Sequence, residues 1–199
     1  MANTTFSGPV RSQNGFQTIS VNSTTGAETV TGSYGFAMGT PAATGAGIEG
    51  TAAVYETSVA RNNGIVTTSI MIDLTGLYSG GTAGDIIGKN ASGVAYIGRV
   101  TTQNSGIVFG VRMTCYETPA GGDTDIDLYS ATEGTGVEDT AITALAETQI
   151  INSGTLAVGS AVYGGDIVAD QYLYLVGQGT ANAAYTAGRL LIEIFGYDA

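Results

Sequence analysis

The sequence has no histidine and no tryptophan, and Cys115 is its single cysteine. Without histidine, neither Ser-His-Asp nor Cys-His catalysis is available, and histidine-rich metal sites are excluded. One cysteine cannot form a disulfide within the chain, and its strand-like apolar surroundings predict a buried, unreactive thiol. These absences remove the commonest nucleophilic and metal-dependent enzyme classes.

Charged residues are also scarce, at 12% of the chain, which is about half the usual share. The balance is acidic, with 17 carboxylates against 6 basic side chains and a net charge of −11. Lys89 is the only lysine, and the arginines are spread along the chain. Because no basic patch is available to neutralise phosphates, we expect no direct nucleic-acid binding and no attraction to an anionic membrane surface.

Alternation of apolar and polar residues, which is typical of half-buried strands, recurs along the chain. Residues 51–74 are predicted to form a hairpin, because two strand-like runs flank Asn63-Gly64, the dipeptide favoured in a type I′ turn. On the second run, Ile70, Ile72 and Leu74 share one face, which we expect to be buried.

The clearest alternation lies in residues 106–118, GIVFGVRMTCYET. It predicts a strand with one apolar face, made by Ile107, Phe109, Val111, Met113 and Cys115. The residues just before it, 93–102, are predicted to pair with this strand through a QNSG turn.

Eight to ten short strands, separated by Gly-rich turns, are predicted in all. The last of them places Leu190, Ile192 and Ile194 on one face, and the helical signal is limited to one or two turns within residues 137–150. This pattern is typical of an all-β chain. For residues 51–199 we expect an antiparallel, jelly-roll-like β-sandwich.

Two further segments precede the predicted sandwich. Residues 1–36 contain strand-like stretches but are too few to bury a core of their own, so they are expected to pack on the main domain, a sister subunit or a foreign surface. Residues 37–50, AMGTPAATGAGIEG, have the low complexity of a Gly/Ala/Thr linker. We therefore predict an extended N-terminal arm, a linker and a β-domain.

An acidic cluster, GGDTDIDLY, places Asp123, Asp125 and Asp127 two residues apart. In an extended segment the three carboxylates would share one face, and calcium prefers such hard oxygen ligands. The Gly and distal Glu of an EF-hand loop are missing, so the alternative is a solvated strand entry without metal. No bound metal and no cofactor is expected.

Paired carboxylates can hydrolyse glycosidic bonds, and Glu56 with Asp73 or Glu193 with Asp127 are the candidates. Sugar subsites usually use aromatic platforms, and the chain has no tryptophan for this purpose. We therefore expect a protein that is not an enzyme.

Two tyrosines, Tyr172 and Tyr174, lie on one face of the predicted strand QYLYLVGQG. Tyrosine is enriched at interfaces because it offers a large, stiff contact area. The two residues are candidates for a subunit contact or a ligand face, and a half-buried aromatic row is the alternative.

The stretch MANTTFSGPVRSQNGF, the linker and the closing AGRLLIEIFGYDA together resemble small virion structural proteins of marine tailed bacteriophages, including those that infect cyanobacteria. The resemblance covers both ends of the chain and, in the middle, only the style of short strands and Gly-Thr-Asn turns. It implies a capsid decoration, or cement, protein on the outer surface of the virion, bound to the major capsid protein. Many such proteins are β-rich and trimeric, and no catalytic residue is carried over.

With this resemblance, residues 1–16 are predicted to form an arm that attaches to the shell. Phe6, Val10 and Phe16 would be its apolar anchors, and Arg11 would be its charged anchor. Two other functions stay open: a head-fibre, spike or tail-associated adhesin that binds a host-surface glycan, and a β-sandwich enzyme or carbohydrate-binding module.

Overall fold

The computed structural model describes residues 16–21, 24–26, 28–34, 43–48, 55–90 and 93–198. The predictions for Phe6, Val10 and Arg11 lie outside the described residues. In the described part, helix is limited to α1, Thr102–Ser105, and to one 3-10 turn, Ile142–Ala144. No helix in these ranges is long and apolar enough to cross a membrane.

Fourteen strands occur in the described residues, and ten of them are longer than two residues. In chain order they are β1 Phe16–Val21, β2 Glu28–Tyr34, β3 Tyr55–Asn62, β4 Ile65–Asp73, β5 Tyr78–Ser79, β6 Asp85–Ile86, β7 Gly98–Arg99, β8 Ile107–Ala120, β9 Ile126–Ala131, β10 Glu147–Ile151, β11 Ala161–Gly164, β12 Tyr172–Gly177, β13 Ala183–Ala184 and β14 Ala187–Tyr197. The prediction of an all-β chain is confirmed.

Every pairing between these strands is antiparallel, as predicted. The large sheet has the order β11-β8-β14-β4-β3, and the second sheet has the order β10-β9-β12-β6 with β7 also on β12. Two smaller sheets are formed by β1 with β2 and by β5 with β13. Buried side chains of the large and the second sheet belong to one core cluster.

The predicted hairpin is confirmed as β3 and β4. Asn63 and Gly64 have φ angles of 53° and 77°, and a type I′ turn requires a positive φ at both central residues. Ile70, Ile72 and Leu74 are fully buried, as the alternation predicts. The turn chemistry and the apolar face therefore specify the same register.

Part of the predicted linker belongs to the folded body. The backbone N–H of Gly45 donates to the carbonyl of Tyr96, and that of Gly47 donates to the carbonyl of Val94. A Cβ at Gly45 would lie 2.1 Å from the Val94 carbonyl oxygen, so only glycine fits there. Ile48 is a member of the core, and residues 43–48 are therefore anchored by both hydrogen bonds and burial.

The predicted pairing of residues 93–102 with β8 is wrong. The strand β7 pairs with β12 in the second sheet, and α1 separates β7 from β8. The cause is a capping box: Asn104 donates its N–H to the Thr101 side chain, and Thr101 donates its N–H to the Asn104 side chain. The QNSG stretch is consequently a helical turn rather than a hairpin.

Strand β8 follows the predicted alternation only in part. Val111, Met113 and Cys115 are buried, and burial raises the pKa of the Cys115 thiol, in agreement with the predicted buried cysteine. Ile107 and Phe109, which were expected on the same face, are instead exposed.

A β-bulge causes this change of face. Gly110 lies opposite Phe195 of β14, and Val108 lies opposite the next residue, Gly196, which leaves Phe109 as an extra residue without a partner. An extra residue shifts the period-two alternation by one position, so Val108 turns inward and is buried. The bulge thereby turns two large apolar side chains out of the core.

Candidate interaction surface

The large sheet has an outer face, opposite the side chains that it contributes to the core. On β14, buried Leu190, Ile192 and Ile194 alternate with residues that are half-buried or exposed. The outward residues are Arg189, Leu191, Glu193, Phe195 and Tyr197. The sequence predicts this two-faced strand correctly.

One end of the outer face carries a row of exposed apolar side chains. Tyr197 lies directly opposite Ile65 of β4 on one side and Ile107 of β8 on the other, and facing residues have Cβ atoms about 4.5–5.5 Å apart. These three residues are 45%, 43% and 42% exposed, and Phe109 at the bulge is 52% exposed. We call these four residues the apolar end of the large sheet.

Two ion pairs lie on the outer face. Nε of Arg112 donates to Oε2 of Glu193 at 2.8 Å, and Nη2 of the same guanidinium also contacts this oxygen. The hydrogen bonds to Glu193 raise the pKa of Arg112. Its guanidinium carbon also lies 5.9 Å from the centre of the Phe195 ring, within the range of a cation–π contact.

A second pair joins Nη2 of Arg189 to Oδ2 of Asp73 at 2.9 Å. Burial by itself would raise the pKa of Asp73, but hydrogen bonds from Thr75 and Arg189 outweigh burial and hold it below its usual value.

Two further ion pairs lie away from this face. Arg61 pairs with Asp198, and Arg99 pairs with Asp170. Each arginine in the described ranges therefore has its positive charge matched by a carboxylate.

The three aspartates of the acidic cluster are held by different parts of the fold. Asp123 accepts a hydrogen bond from the Ala181 N–H at 3.0 Å, and Asp127 accepts one from the Gln149 side chain at 2.7 Å. Both carboxylates are buried, so the expected solvated strand entry is wrong for them. No group of three or more His, Cys, Asp or Glu side chains in the described residues is arranged to hold a metal ion, so the three aspartates, which were a candidate for calcium binding, do not form such a site.

Asp125 differs from its two neighbours, because its Oδ1 atom is buried without a hydrogen-bond partner. Burial raises the pKa of this carboxyl, and the nearby negative charges of Asp127 and Asp123 raise it further. The cluster therefore contains one carboxylate that is poorly stabilised in its ionised form.

Tyr174 is not available for a contact or a ligand. It is fully buried, and its hydroxyl donates to the carbonyl of Glu133 at 2.7 Å and accepts from the Gly136 N–H at 3.3 Å. Burial raises the pKa of Tyr174 to about 12. Tyr174 does not belong to the candidate contact or ligand face, because β12 is an interior strand of the second sheet, with buried residues on both of its faces.

Tyr172 has a different environment from Tyr174, because it is half-buried at the start of β12. Its ring meets that of Tyr96 edge to face at 4.9 Å between centres, and the Arg99 guanidinium carbon lies 5.3 Å from its centre. A role for Tyr172 in a subunit contact stays a prediction.

The two members of each candidate carboxylate pair do not lie directly opposite each other, and one member of each pair forms an ion pair with an arginine. Glu193 lies on the outer face of the large sheet, whereas Asp127 belongs to the second sheet. Glu56 lies directly opposite Met71 and only diagonally across from Asp73. Both Asp73 and Glu193 are already paired with an arginine.

Sequence reasoning missed the apolar end, because it requires the register of three strands that are distant in the chain. One local signal was present: Gly110 interrupts an otherwise regular strand pattern, and an isolated glycine within a strand often marks a bulge. The alternation on either side of this glycine should therefore be treated as two separate patterns.

No protein-family profile, curated protein or solved structure was found to match the chain. The likeness to virion proteins consequently depends on the terminal stretches and the overall style of the sequence.

Proposed function

We propose that this chain is a non-enzymatic virion structural protein that binds the outer surface of a phage capsid and stabilises it. Its partner is the major capsid protein, and it acts as a homotrimer. The observation that carries the proposal is the outer face of the large sheet. That face combines paired charges with exposed apolar side chains, a composition typical of protein contact surfaces.

The charge distribution supports a protein partner rather than a nucleic acid. The described arginines are already paired with carboxylates, and the chain as a whole carries 17 acidic residues. Binding to phosphates would require these pairs to be broken. A shell surface with apolar, hydrogen-bonding or basic groups suits this chain better.

Attachment through an N-terminal arm is the second part of the proposal. Residues 1–16 contain Phe6, Val10 and Phe16 as apolar groups and Arg11 as the one charged group. Three such arms in a trimer would bind with higher avidity than one, because each later contact is intramolecular.

For the fold, we propose that the large and the second sheet stack as a jelly-roll-like sandwich over residues 51–199. The support is that both sheets contribute buried side chains to a single core cluster. The division into an arm at 1–36 and a linker at 37–50 is proposed with one change: residues 43–48 belong with the body.

Deleting residues 1–16 tests the attachment. We expect the truncated protein to lose its binding to purified capsids while its thermal unfolding stays close to that of the full chain. A triple variant, Phe6→Ser, Val10→Ser and Arg11→Ser, provides a control that keeps the chain length and should show the same loss. Unchanged capsid binding by both proteins would contradict an attachment arm.

A head-fibre, spike or tail-associated adhesin that binds a host-surface glycan is the second candidate. The observation that favours it is Tyr163 of β11, which is strongly exposed and lies opposite Arg112 of β8. An aromatic ring beside a polar group suits sugar binding. A glycan array distinguishes the candidates: saturable binding that Tyr163→Ala removes would favour the adhesin.

A further inference from the structure

Two side chains of the apolar end, Ile107 and Phe109, are exposed because of the bulge in β8, which costs the sheet one pairing in its ladder. The bulge leaves Phe109 without a partner in the ladder between β8 and β14, and in return it moves Ile107 and Phe109 to the outer side. A regular strand would have kept the alternation that buries them. Bulges often re-aim side chains at functional positions, and contiguous exposed apolar residues mark interaction sites.

The border of the apolar end is electrically balanced. Asp198 directly follows Tyr197, and its carboxylate pairs with Arg61 of β3. Its N–H donates to the carbonyl of Gly64, the residue before Ile65. Arg61 lies opposite buried Val66, so this ion pair is on the core side of the sheet and neutralises Asp198 there. On the outer face the residue opposite Ile65 is the uncharged Asn62, so no surplus negative charge lies beside the apolar side chains on β3.

The net charge of −11 limits where two copies of this chain can meet. Copies that approach through carboxylate-rich surface repel each other. An apolar surface with a neutral border avoids this repulsion, and it needs no opposite charge on the partner. Such surfaces from several copies can meet around a symmetry axis, because apolar side chains need no complementary charge on the neighbouring copy.

We propose that the apolar end of the large sheet, made by Ile65, Ile107, Phe109 and Tyr197, is the contact between copies of this chain. The inference rests on the proposed self-association and not on the proposed capsid binding or arm. It predicts that a negative charge placed within these four residues separates the copies.

Sedimentation velocity over a range of concentrations tests the proposal with Phe109→Asp. Val168→Asp is the matched control, because Val168 is 70% exposed and lies outside the large sheet. We expect the wild type and Val168→Asp to have the same dissociation constant for self-association. For Phe109→Asp this constant should be higher by about tenfold or more. Equal association of all three proteins would overturn the proposal while leaving self-association intact.

Two other results would also overturn it. A wild type that stays monomeric at every concentration would remove both the proposed trimer and this contact. A monomer whose binding to purified capsids is lost in Phe109→Asp would assign the apolar end to the shell instead.

Crosslinking provides a measurement that does not depend on a disruptive charge. Phe109→Cys introduces an exposed thiol in a chain whose own Cys115 is buried. A short bismaleimide should join two copies through position 109, whereas Val168→Cys should give no crosslinked product. Crosslinking at position 168 but not at 109 would contradict the proposed contact.

Discussion

The hydroxyl of Tyr174 pairs two backbone groups at once, the Glu133 carbonyl and the Gly136 N–H. Tyr174→Phe removes both hydrogen bonds and leaves the buried Gly136 N–H unpaired. We expect the free energy of unfolding to fall by about 1–3 kcal/mol, measured by urea denaturation. Tyr116→Phe, at an exposed position of β8, is the control and should change it by less than about 0.5 kcal/mol. Equal effects of the two substitutions would contradict the role of the Tyr174 hydroxyl.

Asp125 gives a prediction whose sign depends on pH. Because its pKa is raised in the folded chain, the folded state binds a proton more tightly than the unfolded state does. Stability is therefore lost as pH rises from the ordinary range of an aspartate through the folded pKa. We expect Asp125→Asn to melt at a higher temperature than the wild type at pH 7.

The advantage of Asp125→Asn should shrink at about pH 2.5, well below the ordinary aspartate pKa of about 3.9, where the aspartate is protonated in both states. Differential scanning calorimetry at the two pH values measures this, with Asp166→Asn at an exposed position as the control. An advantage that is the same at both pH values would show that Asp125 is not destabilised by its charge.

The bulge in β8 can be tested by removing its extra residue. The ladder with β14 has a continuous register from Gly110 to Cys115 on one side of Phe109 and from Ile107 to Val108 on the other, so deleting this residue should close the ladder without moving these pairs. We expect a melting temperature no lower than that of the wild type, together with loss of association between copies.

Deleting Thr114 from the regular part of β8 is the control for that experiment. This deletion shifts the register by one residue and turns buried side chains such as Met113 outward, so we expect loss of cooperative unfolding. If the deletion of Phe109 were as harmful as that of Thr114, Phe109 would be part of the ladder and not an insertion.

Elements that depend on local rules could be predicted from the sequence. The type I′ turn at Asn63-Gly64 and the two faces of β14 follow from neighbouring residues alone. The burial of Tyr174 could not be predicted, because it depends on the strands that flank β12. The capping box at Thr101 was present in the sequence, but its turn was interpreted as a hairpin.

At the scale of the whole molecule, the all-β class and the antiparallel pairing could be predicted, since turn residues and period-two alternation recur throughout. The candidate contact could not, because Ile65, Ile107 and Tyr197 meet only through the order β8-β14-β4. The proposed attachment arm is a prediction from the sequence, and Phe16 at the start of β1 is the one arm anchor that falls within the described residues.

The central claim is that this chain is a component of the virion coat. A density-gradient separation of the lysate that yields the protein, with peptides of this sequence counted in each fraction, tests it most directly. We expect the peptides to follow full, DNA-containing particles at many copies. Peptides confined to the soluble fractions would contradict it.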